Sequence, residues 1–198
     1  MPRWEDAQRI EAWAGEIRVN LLRIAAILAF YGHHLFNVYV AGDPAVTADY
    51  HASVTALAIA WAASAMGLHF ALSRRWVPPA LKYAAVAWDV ILVTMLLILS
   101  GGPKSPLCIL YFLVVATAPL RLCLRFVWCS TLSAITSYVF ILGHAKFVKP
   151  DRMVPRPSQI IFVLGLGVAG LLAGQMVRQA RRLVRGYPVT TVDKPPGE

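Results

Sequence analysis

Six apolar blocks dominate this sequence, and each is long enough, or nearly long enough, to cross a lipid bilayer. The blocks cover approximately residues 19–40, 51–72, 80–99, 107–121, 124–143 and 159–178. A membrane-spanning helix takes roughly 20 apolar residues. Only 15% of the residues are charged, whereas a soluble domain has about a quarter. The sequence therefore predicts an all-α, polytopic membrane protein with six transmembrane helices, and the short connections leave no room for a soluble catalytic domain.

The net charge of +9 is explained by membrane topology, because lysine and arginine are distributed unevenly between the connections on the two sides. If the N-terminus lies inside, thirteen basic residues fall on the inner side and five on the outer side, as the positive-inside rule requires. This predicts a bacterial inner-membrane protein with both termini in the cytoplasm, in contact with membrane lipids rather than nucleic acid. The alternative, a re-entrant unit formed by the fourth and fifth blocks, would reverse the sidedness of the last span.

The segment before the first apolar block is amphipathic. Residues 4–18 place Trp4, Ile10, Trp13 and Ile17 at helical spacing, with charged residues between them. This pattern is typical of a helix lying in the membrane interface, but it equally fits a cytoplasmic extension of the first span. No cleavable signal peptide is expected. The predicted organisation is an N-terminal segment (1–18), a six-helix domain (19–178) and a helix extension with a Pro-rich tail (179–198).

The stretch LSGGPKSPLCILYF (99–112) contains glycines, a lysine and a serine, as a phosphate-binding loop does. A P-loop requires G-x-x-x-x-G-K-[ST] after a strand, and neither that spacing nor a strand is predicted. Gly101 and Gly102 instead suit a helix end, and Ser105 followed by Pro106 suits a helix start. The stretch is therefore predicted to be a turn between two helices.

Asp89 lies near the middle of the third block, and Arg23 lies within the first. An ionisable residue inside the membrane is costly and raises a functional hypothesis. Asp89 could be a proton-linked switch or the partner of Arg23. The alternative is a structural aspartate held by hydroxyl groups of the fifth span.

The histidines allow a cofactor hypothesis. His34, His51 and His144 fall in the outer half of the membrane or at its outer edge, where a pair could bind haem or one residue could bind a pigment. Interfacial or hydrogen-bonded histidines are the alternative, and the sequence leaves the cofactor unassigned. Cys108, Cys123 and Cys129 lack metal-ligand spacing and are interpreted as small apolar residues.

The last apolar block combines small residues with a basic exit. Small residues recur at the spacing that lets helices approach closely, either within the bundle or between two copies; they are Gly165, Ala169, Gly170, Ala173 and Gly174. Four arginines follow on a predicted continuation of the helix: Arg178, Arg181, Arg182 and Arg185. These are candidates for contact with anionic lipid or with a protein partner.

The run SGGPKSPLCILYFLVVATAPLRLCLRFVW, with WVPPALKY (76–83) and the last span, resembles the six-span membrane domain of bacterial sensor histidine kinases and related multi-pass receptor cyclases and kinases. The resemblance covers roughly residues 18–185. In that group the last span leads into a cytoplasmic effector, whereas this chain stops soon after it. The resemblance therefore implies the architecture of a sensor without its effector activity.

Two functions remain open from the sequence. The first is a non-catalytic sensor or regulatory module that acts through its last helix on a cytoplasmic effector or another membrane protein. The second is a structural subunit of a larger membrane complex, such as a respiratory or photosynthetic assembly, that holds a pigment or haem. No set of catalytic residues is present in the sequence, so we expect no enzymatic activity.

Overall fold

The computed structural model describes residues 3–41, 47–74 and 78–186. All regular structure in these ranges is helical, as the apolar blocks predict. The six α-helices are α1 (Arg3–Tyr39), α2 (Ala48–Ser73), α3 (Pro79–Leu99), α4 (Ile109–Thr117), α5 (Leu124–Val148) and α6 (Arg156–Gly186). The predicted tail, residues 187–198, lies outside the described residues.

The amphipathic N-terminal segment and the first span form one unbroken helix, α1. Of the two alternatives for residues 4–18, the structure therefore has the extension of the span. α1 packs against α2 as an antiparallel hairpin. The Trp13 indole N–H donates to the Leu72 carbonyl at 2.8 Å, and the Asn20 amide donates to the Ala65 carbonyl at 3.2 Å. These two bonds fix the register of the hairpin near its N-terminal end.

The turn after α3 has the predicted form. Gly101 has a φ of 111° and Gly102 a φ of 70°, and both values lie in the left-handed region that favours glycine. The Ser105 hydroxyl then accepts a hydrogen bond from the Leu107 amide at 3.3 Å. The stretch 99–112 is thus a helix stop followed by a capped start, which confirms the prediction of a turn.

The fourth crossing is short and irregular. The 3₁₀ turns Pro106–Cys108 and Ala118–Arg121 flank α4, and the whole apolar segment Pro106–Arg121 is shorter than the other five spans. Lys104, just before it, donates to the carbonyl of Asp151 at 2.6 Å. Arg121, at its other end, lies against Glu16. The segment therefore runs from one end of the bundle to the other and is not re-entrant.

The small residues of α6 pack inside the bundle. A Cβ atom on Gly170 would lie 2.5 Å from the Thr131 hydroxyl of α5, and one on Gly165 would lie 3.3 Å from the Phe112 ring of α4. Ala173 and Gly174 are buried on the same side of the helix, and Ala169 packs against the core. Of the two predicted uses of this face, the structure has the one within a single bundle.

The outer surface of the bundle is apolar. Five helices are long and apolar enough to cross a membrane, and the segment Pro106–Arg121 adds a shorter one. Large side chains such as Leu28, Ile59, Leu132 and Ile161 are more than 60% exposed. Such a surface suits lipid tails and not water. The chain is an integral, multi-pass membrane protein.

Candidate functional site

The two ionisable residues inside the spans pair with each other. The Arg23 Nε atom donates to Asp89 Oδ1 at 2.7 Å, and its Nη2 atom pairs with Oδ2. The two side chains are only 6% and 16% exposed. Two parallel N–H···O bonds are the strongest geometry for an arginine and a carboxylate. The structure therefore joins Asp89 to Arg23.

Two further side chains complete the polar network around this pair. The Trp61 indole N–H donates to Asp89 Oδ1 at 3.1 Å, and Arg23 Nη1 donates to Asn20 Oδ1 at 3.0 Å. The partners of Asp89 thus come from α1 and α2, and not from the hydroxyl groups of α5; Thr131 of α5 instead donates to its own helix, to Val127 O at 2.8 Å. We name Arg23, Asp89, Trp61 and Asn20 the bridge network.

The bridge network connects two parts of the bundle. Along their lengths, α1 packs mainly on α2, whereas α3, α4, α5 and α6 pack on one another. The α1–α2 hairpin joins this four-helix body through α2 against α3 and through the N-terminal half of α1 against the turn Ala118–Arg121. Removing one member of a buried ion pair leaves an unpaired charge at a cost of about 3–5 kcal/mol. The network therefore holds the hairpin in a defined position on the body.

A cavity of about 440 Å³ lies beside the bridge network. It separates α1 from α4, and α2 and α3 form its back wall. The residues that line it on α1 all share one helix face, from Val19 to Asn37, and those on α4 face them from Leu110 to Thr117. The size is within the range of about 300–1,000 Å³ that is usual for small-molecule sites.

Histidine and tyrosine side chains surround one end of this cavity. His34 Nε2 lies 3.1 Å from His51 Nδ1, so one ring donates to the other. The His34 ring packs edge-on against Tyr50 at 5.7 Å, and His33 lies 3.3 Å from the Asn37 amide. His34, His33, Asn37 and Tyr50 line the cavity, which gives it a polar mouth.

Two of the three predicted ligand histidines are direct neighbours. His34 and His51 share a direct hydrogen bond, whereas His144 lies near the C-terminal end of α5. The 3.1 Å separation between His34 and His51 is an ordinary hydrogen-bond distance, and the haem or pigment hypothesis for the three histidines stays a prediction. Within the described residues, no three His, Cys, Asp or Glu side chains form a metal-binding group.

A second charged cluster lies at the opposite end of the bundle, which we name the base cluster: Glu16, Lys82 and Arg121. The Glu16 carboxylate is 2% exposed and lies 3.1 Å from Arg121 Nη2 and 3.8 Å from Lys82 Nζ. The backbone approach beside it is close, because a Cβ on Gly15 would lie 2.8 Å from the Leu120 carbonyl oxygen. α1 is therefore fixed tightly to the turn between α4 and α5.

The same turn contacts the exit helix. Leu122, with a left-handed φ of 50°, presents its carbonyl to Arg181 of α6, which donates from Nε at 3.0 Å and from Nη2 at 2.7 Å. Arg178 and Arg182 are exposed on α6. Arg185 lies within the helix, but its side chain is outside the described part of the structure. A contact path thus runs from Glu16 through this turn to Arg181.

Part of this arrangement is missed by the sequence alone. Glu16 resembles any other charged residue on the polar face of the N-terminal segment, and Arg121 resembles an ordinary interface residue. Their pairing depends on how α1 packs against a turn more than 100 residues later. Trp61 and Asn20 gave no signal either, because an uncharged indole or amide does not stand out in an apolar run as a charged residue does.

One comparison with known proteins gives a match. The family model described as the PilS-like transmembrane domain matches residues 8–165, about four fifths of the chain. The matched region contains the bridge network, the cavity and the base cluster, and it ends within α6. No curated protein and no solved structure matches the chain.

Proposed function

Because this chain belongs to the PilS-like transmembrane domain family, we propose that it is the membrane sensor module of a signalling system and has no catalytic activity of its own. In this proposal the module detects a change within the membrane or at its outer face. It transmits that change by protein contact, through α6, to a cytoplasmic effector or to another membrane protein. Membrane lipids are its other partners, and nucleic acid is not one.

The observation that carries the proposal is the contact path at the base of the bundle. Glu16 of α1 pairs with Arg121, and Arg181 of α6 binds the carbonyl of the next residue, Leu122. A shift of α1 along or around its axis would displace this turn, because the close approach at Gly15 leaves no slack. The turn would then displace α6. Packed helices respond to such shifts by small sliding or rotation rather than by bending.

The bridge network supports a module with two arrangements. Its ionic and indole contacts join the α1–α2 hairpin to α3 beside a cavity. A ligand or partner that changes these contacts would favour one position of the hairpin over another, and a ligand shifts such an equilibrium only by its differential affinity for the two states. The cavity is the place where such differential contacts could form.

We propose that the module lies in a bacterial cytoplasmic membrane with both termini inside. The six crossings return the chain to the side from which it started. The ends of the bundle near Glu16, Lys82, Arg121 and Arg181 then face the cytoplasm, and the end near Lys104 and Asp151 faces outward. The excess of basic residues on the proposed inner side supports this orientation.

A fusion tests the proposal. The chain is joined after Gly186 to a cytoplasmic histidine-kinase effector, and autophosphorylation is measured in inverted membrane vesicles with external ATP. We expect activity, because ATP reaches the effector only if α6 ends on the cytoplasmic side. We further expect Gly15→Leu, which must displace Leu120, to change the activity severalfold, and the matched control Gly67→Leu, which meets nothing within 4 Å, to leave it unchanged.

Two results would contradict the proposal. A fusion that is inserted and folded but inactive in inverted vesicles, and active only in sealed right-side-out vesicles given external ATP, would show the opposite orientation. Equal activities for wild type and Gly15→Leu, in protein that is present in equal amounts, would show that the contact between α1 and the turn transmits nothing to α6.

A further inference from the structure

The shape of the cavity restricts what it can hold. Its lining on α1 extends from Val19 to Asn37, roughly 27 Å at a rise of about 1.5 Å per residue. A volume of about 440 Å³ over this length leaves a mean cross-section of roughly 16 Å² for the centre of a water molecule, whose radius is about 1.4 Å, so the walls stand roughly 7 Å apart. An α-helix with side chains is about 10–12 Å wide. The cavity is therefore too narrow for a partner helix, and its dimensions suit one extended hydrocarbon chain.

The walls of the middle part are apolar. Small and branched aliphatic residues from all four surrounding helices contribute to them, including Ala26, Ala58, Val93 and Leu110, together with the ring of Phe30. Each methylene group that is buried against such walls adds a small favourable contribution to binding. A long saturated chain would therefore bind by many small contributions, without any need for polar contacts along its length.

The inner end offers no free charge. Arg23 is the only lysine or arginine and Asp89 the only carboxylate among the described lining residues. The two neutralise each other, and Asn20 takes a further N–H of Arg23. An anionic group placed there would have to break the ion pair, so this end suits the terminal methyl group of a chain.

The outer end has the opposite character. The side chains of His33, Asn37, Tyr50 and Ser105 line it, and each carries an N–H or O–H group. None of them is acidic. These groups can donate hydrogen bonds to oxygen atoms. The mouth therefore suits a headgroup rich in oxygen acceptors.

From the length, width and polarity of the cavity, we infer that it binds a single-chain lipid, with the acyl chain along α1 and an oxygen-rich headgroup at His33, Asn37 and Tyr50. A long-chain fatty acid and a lysophospholipid share this chemistry. A two-chain phospholipid does not, because its two chains cannot lie side by side between these walls. The claim that this ligand is the signal sensed by the module rests on the proposed function. The claim that the cavity binds it does not.

The test measures saturable binding of radiolabelled palmitate to the purified full chain in nanodiscs of two-chain phospholipid. We expect one site per chain. Ala26→Phe places a ring in the cavity and should weaken binding at least tenfold, whereas Ala29→Phe, three residues along the same helix but exposed, should not. Ala58→Phe with the exposed control Ala56→Phe repeats the comparison on α2, in case Ala26→Phe prevents folding.

Competition then identifies the source of the chain. Displacement of palmitate by a lysophospholipid at similar concentration supports a lysolipid ligand, and its failure to compete supports a free fatty acid. Absence of saturable palmitate binding would overturn the inference, because the cavity would then show no preference for a single-chain lipid over the two-chain phospholipid of the nanodisc. Equal loss of binding in Ala26→Phe and Ala29→Phe would also overturn it.

The same variants separate this inference from the proposed function. If palmitate binds but leaves the autophosphorylation of the effector fusion unchanged, the site is established and its role as the sensed ligand is wrong. If Gly15→Leu changes the activity of the fusion while palmitate does not bind, the sensor proposal holds and the lipid site is wrong.

Discussion

Single residues in unusual places carried the most information in the sequence. Asp89 and Arg23 were identifiable because a charge inside an apolar run must be paired or functional. The sequence could not decide which groups contact them, because that depends on which helices are neighbours. The structure gives Asp89 an arginine from α1 and an indole from α2. Glu16 was missed because its burial is a property of the packed bundle and not of its local sequence.

For single residues, the bridge network predicts how the free energy of unfolding differs between single and double variants. Asp89→Leu leaves the Arg23 charge buried without its partner and should lower the free energy of unfolding by about 3–5 kcal/mol. Adding Arg23→Met should restore most of this loss, because an apolar pair can replace a buried ion pair with little change. The measurement is reversible unfolding in mixed micelles of increasing sodium dodecyl sulfate fraction.

The control for this pattern is Asp151→Asn. Asp151 is exposed, and Lys104 binds its backbone carbonyl rather than its side chain, so the change should stay within about 0.5 kcal/mol. If the double variant were as unstable as Asp89→Leu alone, Arg23 and Asp89 would not stabilise the fold as a pair.

At the scale of the helices, hydropathy predicted the existence and order of all six elements. The Gly-Gly and Ser-Pro signals also placed the turn after α3. The unbroken course of α1 could not be predicted, because an amphipathic segment is equally stable in an interface or as a helix extension. The sequence also could not predict that the α6 glycines face the inside of the bundle, since small residues serve both internal packing and pairing of copies.

The glycines of α6 predict contrasting effects of one substitution. Gly170→Ala introduces a methyl group at 2.5 Å from the Thr131 hydroxyl, and Thr131 is held by its bond to Val127. We expect a loss of about 1–3 kcal/mol in the free energy of unfolding, as for other overpacked cores. Gly167→Ala meets nothing within 4 Å and should be neutral or slightly stabilising. The micelle unfolding assay used for Asp89 compares the two.

A loss of similar size in both glycine variants would contradict this packing of α6. It would mean that α5 does not hold α6 at Thr131. An outcome in which Gly170→Ala is neutral but disrupts association of two copies would instead place this face on the outside of the bundle.

At the scale of the whole molecule, the sequence predicted the class and the family but not the internal arrangement. Whether α1 packs against α4 or stands apart from it depends on side chains from four helices at once. The cavity is a consequence of that arrangement and has no signature in any one span. The family match agrees with the resemblance found in the sequence. It covers the hairpin, the turn between α4 and α5, and the four-helix body as far as residue 165.

The bridge network holds the α1–α2 hairpin on the body, and it thereby holds α1 in a fixed position relative to α6. The most direct measurement is the distance between spin labels at Arg18→Cys on α1 and Arg178→Cys on α6, both exposed positions, by double electron–electron resonance in nanodiscs. The native residues Cys108, Cys123 and Cys129 are first replaced by alanine. Wild type should give one narrow distance distribution, and Asp89→Asn should shift or broaden it, while Asp151→Asn leaves it unchanged. Identical distributions in all three proteins would contradict the account.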